Sequence, residues 1–137
     1  LVVSDRYCFG STPGREIIEL KDDEDALPQI CLHIMQHSEC ARYIADEKVL
    51  QRRETADRLA RKFHADGIIY EQMKYCDYWG FERALVSHIM HEEYDWPVLS
   101  IDRLYNNGNS GQLRTRVQAF VESLEIKKLH KQNGGAN

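Results

Sequence analysis

Gly67-Ile68-Ile69-Tyr70-Glu71, followed within a few residues by Tyr75-Cys76-Asp77, is the stretch that decides the fold. The short apolar run, bounded by Asp66-Gly67, reads as a strand over 67–71. A cysteine then appears where the strand gives out. The same arrangement opens the chain, where Leu1-Val2-Val3-Ser4 runs into Asp5-Arg6-Tyr7-Cys8-Phe9-Gly10. In an open parallel sheet the carboxyl ends of the strands share one edge, and ligands bind in the crevice there. Two cysteines delivered to that edge, with a third at Cys40, suggest a thiolate-bound metal centre.

Working outward, residues 1–4 are expected as a short buried strand. Residues 5–15 form a loop with a Pro13-Gly14 turn signal. Lys21-Asp22-Asp23-Glu24-Asp25 is a solvated charge run. A helix is predicted over 25–37, with Leu27, Ile30, Cys31 and Ile34 as its apolar stripe, which places Cys31 in the core. The loop 38–46 carries Cys40 and Arg42. An amphipathic helix over 47–64 turns Ala56, Leu59, Ala60 and Phe63 inward and Arg52, Arg53, Asp57, Arg58, Arg61 and Lys62 mostly to water. A further helix over 80–94 has Phe81, Ala84, Leu85, His88 and Ile89 as its stripe, and a strand over 97–101 begins at Pro97. A final helix from Gly111 packs through Leu113, Val117, Phe120, Val121 and Leu124. Strands alternating with helices of crossover length give a parallel α/β layer structure.

The 137 residues suffice for one domain with a working core. Apolar content of 42% and charged content of 29% are those of a soluble globular chain. A net charge of -4 provides no basic footprint for nucleic acid. No apolar run is long enough to span a bilayer, and no secretory leader is visible, so a cytoplasmic protein is expected. The four cysteines form no dense disulfide framework. Leu1 stands directly at a predicted strand, with neither Met nor lead-in. The expectation is the C-terminal piece of a longer polypeptide: an α/β domain over 1–129 and a flexible tail over 130–137.

Cys8, Cys40 and Cys76 lie far apart in sequence, with no Cys-x-x-Cys and no zinc-finger spacing, so a local structural zinc site does not fit. Iron–sulfur clusters are held by thiolates, and a fold can gather such ligands from separate loops. The competing reading is that free cysteine behaves as a small hydrophobe. Three thiolates would leave one iron open to water, another side chain or a substrate oxygen. Arg6, Arg15 and Arg42, near the cysteine loops, would stabilise thiolates, or are ordinary surface arginines. Trp79 and Phe81 would shield the site, or simply pack. His33 and His37 form an i, i+4 pair with no evident third ligand. Ser110 and Gly111 open a helix after a strand, where backbone N–H groups favour anions, and Arg114 and Arg116 could add charge-assisted contacts to a phosphate or carboxylate. Alternatively, Ser110 caps the helix and both arginines pair with surface carboxylates.

Several segments carry a resemblance: Asp5-Arg6-Tyr7-Cys8-Phe9-Gly10-Ser11, Glu39-Cys40-Ala41-Arg42, His64-Ala65-Asp66-Gly67-Ile68-Ile69, Met73-Lys74-Tyr75-Cys76-Asp77, and Gly111-Gln112-Leu113-Arg114-Thr115-Arg116-Val117-Gln118-Ala119-Phe120. In this order they resemble the C-terminal part of the benzoyl-CoA reductase/2-hydroxyacyl-CoA dehydratase family of subunits, over nearly the whole chain. The resemblance implies two flavodoxin-like α/β domains per subunit, this chain being most of the C-terminal one: a parallel sheet flanked by helices. It implies a [4Fe-4S] cluster bound by Cys8, Cys40 and Cys76. It also implies a homologous cluster-binding partner subunit, an ATP-hydrolysing iron–sulfur activator fed by ferredoxin, and an acyl-CoA substrate lying between the domains near the cluster.

Tyr75-Cys76-Asp77-Tyr78-Trp79-Gly80-Phe81-Glu82 and Val121-Glu122-Ser123-Leu124-Glu125-Ile126-Lys127-Lys128 are more similar to a benzoyl-CoA reductase subunit. Ala41 after Cys40, where many dehydratases have Pro, points the same way. The implied reductase chemistry is stepwise electron and proton transfer to the aromatic ring. The dehydratase alternative uses one electron to make a ketyl radical that expels a hydroxyl group. Two further alternatives stand beside these: a noncatalytic electron-transfer or scaffolding subunit, and a binding domain with free thiols and no metal.

Overall fold

The computed structural model describes residues 1–6, 17–105 and 110–134. These contain four helices and two strands in the order α1 (Ala26–His37), α2 (Asp46–Lys62), β1 (Ile68–Met73), α3 (Asp77–Glu92), β2 (Val98–Arg103) and α4 (Ser110–Gly134). Two compact units divide the chain, Leu1–Ala56 and Asp57–Asn137, with the division inside α2. None of the four helices is long and apolar enough to cross a membrane among the described residues.

The second unit holds the sheet. Strands β1 and β2 pair in parallel, with Ile68 opposite Val98 and Met73 opposite Arg103. Parallel neighbours need a long crossover, and α3 supplies it, packing on both strands. Glu82, Val86 and Met90, spaced four apart, form its buried row. The expected stripe through Phe81, Ala84, Leu85, His88 and Ile89 is thus one position out: Phe81 and Leu85 are exposed. The turn after β1 starts the helix at Asp77, three residues earlier than expected. That start, together with the side-chain period of the helix, decides which residues meet the sheet. On α4, Leu113, Val117, Phe120 and Leu124 are half-buried as expected, Val121 is exposed, and the helix continues to Gly134.

Helix α2 stops in a Schellman arrangement. His64 N–H donates to the Arg61 carbonyl (3.1 Å) and Ala65 N–H to the Ala60 carbonyl (2.9 Å), with His64 left-handed at φ 50°. Just before the boundary of β1, a Cβ on Gly67 would lie 2.8 Å from Phe120 Cζ and 3.1 Å from the Pro97 carbonyl oxygen. Only glycine lets the chain enter the strand this close to α4.

In the first unit, Asp25 caps α1 by accepting from Leu27 N–H (3.4 Å). Gln29 latches the preceding charge run onto the helix: its amide nitrogen reaches the carbonyls of Lys21, Glu24 and Asp25, and its oxygen accepts from Lys21 N–H. Helix α1 buries none of its residues, and Leu27 and Ile34 are exposed. Cys31 is exposed as well, which corrects its placement in a core. The apolar period is present, but of that stripe only Ile30 is even half-buried. Residues 1–4 are not a strand either, and Leu1, Val2 and Val3 are exposed. A strand requires a partner ladder for its N–H and C=O groups, and both described strands belong to the other unit.

Candidate metal centre

The Cys76 turn follows directly from the sequence around it. Strand β1 ends at Met73, and Cys76 N–H returns to the Met73 carbonyl (3.2 Å), closing a four-residue turn. Tyr75, third in that turn, has φ 71°, the sign a type II turn demands at this position and one that a tyrosine adopts at a cost. The Cys76 carbonyl accepts from Gly80 N–H (3.0 Å) and from the Gln72 side-chain amide (3.0 Å). Gln72 is buried, and Gly80 leaves it room: a Cβ there would meet Gln72 Nε2 at 3.0 Å. Cys76 is therefore the N-cap residue of α3, with its backbone held on both sides while its thiol makes no capping bond. A helix N-terminus favours negative charge, so a thiolate is well placed there.

The Cys40 loop belongs to the first unit and is held by buried charge. Glu39 is 8% exposed; its carboxylate accepts from Thr55 Oγ1 (2.7 Å) through one oxygen and from Arg6 Nε (2.7 Å) through the other. Arg6 Nη2 lies 2.6 Å from that second oxygen, an ion pair without the alignment of a second hydrogen bond. Arg6 also donates from Nη1 to the Arg52 carbonyl (3.2 Å). Arg52, only 2% exposed, donates to the Tyr43 carbonyl (2.8 Å) and at longer range to the Cys40 carbonyl (3.4 Å). Tyr43 N–H closes back on the Cys40 carbonyl (3.0 Å), and Ala41, within that turn, is buried. Arg6 thus ties the segment that leads in sequence to Cys8 to the residue directly before Cys40.

Arg52 corrects the sequence reading, which turns it to water. It and Thr55 continue the inward stripe of Ala56 and Leu59 back by one turn, so helical spacing holds the signal. Polarity hides it, because an arginine is rarely fully buried unless partnered. Gln72 likewise escapes a reading of the sequence, because it lies beyond the predicted end of the strand.

Cys40 and Cys76 are free and half-buried. Cys8 and Arg15 lie outside the described residues. Among the described residues no three His, Cys, Asp or Glu side chains gather into a metal-holding group. The His33 and His37 rings stack with centroids 4.1 Å apart, and His37 Nδ1 lies 2.9 Å from the His33 carbonyl.

Ser110 is the first residue of α4, which follows the carboxyl end of β2 just as Cys76 follows that of β1. In a parallel pair these ends share one edge. Among the described residues nothing beyond its own chain neighbours and helix backbone lies within 4 Å of a Cβ placed on Gly111, and Arg114 is exposed. Arg116 donates to the Ser100 carbonyl (2.7 Å), tying α4 to β2.

The second unit also holds a polar cluster at Asp57. Asp57 accepts from Trp96 Nε1 (2.7 Å) and Arg61 Nε (2.9 Å), and Arg61 stacks over the Trp96 ring. Partial burial pushes the Asp57 carboxyl up, but the bonds from Arg61 and Trp96 and the charge of Arg61 outweigh it and leave its pKa below the ordinary aspartate value.

No solved structure matches the chain. A curated relative, "Putative dehydratase subunit YjiM" of Escherichia coli K12, is 26% identical over 74 residues, which is 54% of this chain and 19% of that protein's length. The chain therefore spans about a fifth of the relative it matches. The family model for the D-component of 2-hydroxyglutaryl-CoA dehydratase matches residues 1–124, nearly the whole chain, and the chain belongs to that family.

Proposed function

We propose that the chain is the cluster-binding part of an enzyme subunit that delivers a low-potential electron to an acyl-CoA thioester, with Cys8, Cys40 and Cys76 as ligands of a [4Fe-4S] cluster in a flavodoxin-like domain. The observation that carries this reading is the family match over residues 1–124. The donor chemistry fits: Cys40 and Cys76 are free, half-buried thiols on turns whose backbone groups are already bonded. Bound there, the cluster would supply one-electron chemistry at low potential.

The residues of this chain hold thiolates in place and tie together the segments that bear them. Arg6 and Glu39 do so for the approaches to Cys8 and Cys40, and Gln72 for Cys76. Ser110, Gly111, Arg114 and Arg116 are the proposed contacts for anionic groups of the CoA, Arg116 combining that role with its bond to Ser100.

Benzoyl-CoA is the proposed substrate, on the likeness of residues 75–82 and 121–128 to a reductase subunit. A second reading, dehydration of a 2-hydroxyacyl-CoA, is favoured by the dehydratase descriptions of the family and the relative. Both readings need a homologous partner subunit, an ATP-hydrolysing iron–sulfur activator and a ferredoxin. The test uses the complete protein, purified anaerobically with its partner subunit. Cys8→Ser, Cys40→Ser and Cys76→Ser should each lose iron, and full iron in all three ends the proposal. Turnover with activator, ATP and reductant then separates benzoyl-CoA from 2-hydroxyacyl-CoA substrates.

A further inference from the structure

Arg52 is an arginine placed where arginine is expensive. Burying a guanidinium is tolerated only when its donors are met, and at 2% exposure Arg52 turns one of its nitrogens, Nη1, to the loop that carries Cys40. Its Nη1 holds the Tyr43 carbonyl at 2.8 Å and reaches the Cys40 carbonyl at 3.4 Å. Thus the two ends of the turn 40–43 converge on one rigid group that projects from a helix. The Arg52 carbonyl takes Arg6 Nη1, and Arg6 in turn grips Glu39, which is also bonded to Thr55 one turn along the same helix. Three points around Cys40 (the Glu39 side chain, the Cys40 carbonyl and the Tyr43 carbonyl) are therefore referred to α2. The planar, pre-organised fork of arginine suits this role in a way the flexible ammonium of lysine does not.

We infer that Arg52 is a positioning residue that fixes the backbone of the Cys40 turn, so that the Cys40 sulfur is presented in one orientation. The value of that orientation rests on the proposal that Cys40 is a cluster ligand; the orientation itself can be measured without the cluster. In the complete, metal-free protein, alkylation of Cys40 and Cys76 by iodoacetamide is followed in the same sample by peptide mass spectrometry. Arg52→Lys should alkylate about tenfold faster at Cys40, the factor expected for losing one charge-assisted hydrogen bond. Cys76 should alkylate at its usual rate.

Thr55→Val removes one of the two anchors of Glu39 at nearly constant volume and should raise the Cys40 rate in the same direction, so the turn is still probed if Arg52→Lys folds poorly. Reconstituted with iron and sulfide, both variants should release iron to a chelator faster than wild type and, once reduced by dithionite, show a broadened electron paramagnetic signature. Unchanged Cys40 alkylation in both variants overturns the inference, as does an equal rise at Cys76, which would report general loosening. Iron retained by Cys40→Ser would instead overturn the ligand assignment and leave the alkylation result standing.

Discussion

Gly67→Ala offers a direct test of how the second unit is assembled. The added methyl would lie 2.8 Å from Phe120 Cζ, 3.1 Å from the Pro97 carbonyl oxygen and 3.2 Å from Leu124 Cδ2. The carbonyl cannot retreat, because it accepts from Ile68 N–H at 2.9 Å and so starts the β1–β2 ladder. The strain therefore falls on Phe120 and on α4. Overpacking of this kind costs about 1–3 kcal/mol. Gly67 does not have a positive φ, so alanine also removes freedom from the unfolded chain and recovers about 0.4–1 kcal/mol. The net expectation is a loss of about 1–2 kcal/mol, read as a fall of roughly half to one molar in the urea midpoint of the complete protein. Phe120→Leu shortens the obstructing ring, so the double variant should lose less than the sum of the two single losses by at least about 0.5 kcal/mol. A neutral Gly67→Ala, or strict additivity with Phe120→Leu, would refute the close approach of α4 to the start of β1.

Three further outcomes are expected. Glu39→Gln keeps the shape of the side chain but leaves the Arg6 guanidinium without its counter-charge, and should cost about 2 kcal/mol in chemical denaturation; a change below about 0.5 kcal/mol, the size of an ordinary surface substitution, would contradict the buried pair. The folded-state pKa of Asp57 is depressed, so its contribution is present above the unfolded aspartate value and is lost as pH falls through the folded one. Asp57→Asn keeps an oxygen that can accept from Trp96 but removes the charge that strengthens that bond, so it should be less stable than wild type at pH 7 by up to about 1 kcal/mol, with little from the exposed Arg61, and the gap should narrow below about pH 4; a gap constant to pH 3 would count against that origin. Tyr75→Gly relieves a left-handed tyrosine and should raise stability by up to about 1 kcal/mol, with iron content as the independent measure of whether the tyrosine ring serves the Cys76 turn.

The helices were legible because their periods are long and their ends are punctuated. Asp25 marks the start of α1 and Ala65-Asp66-Gly67 the stop of α2, and both hold within two residues. A cysteine shortly after a strand was legible too, although the strand runs to Met73, two residues past its expected end. Less legible was which side of an element is covered. The stripe of α3 slipped by one residue because the helix start is set by a turn containing a left-handed Tyr75, a conformation that tyrosine does not advertise. The stripe of α1 is real in sequence and exposed in the structure, since periodicity states that a face is apolar and not that anything lies against it.

Sequence alone determined the alternation of strands and helices in the second unit, the delivery of Cys76 to a strand's carboxyl end and the likeness to acyl-CoA enzymes, because each depends on local spacing or on residues read in order. Only tertiary structure decided that Arg52 turns inward, that Glu39 joins Arg6 to Thr55, and that Gln72 reaches under Gly80 to the Cys76 carbonyl. Those are contacts between polar groups distant along the chain or hidden in a face judged by charge. Their favourable energy exists only once burial has removed the competing water.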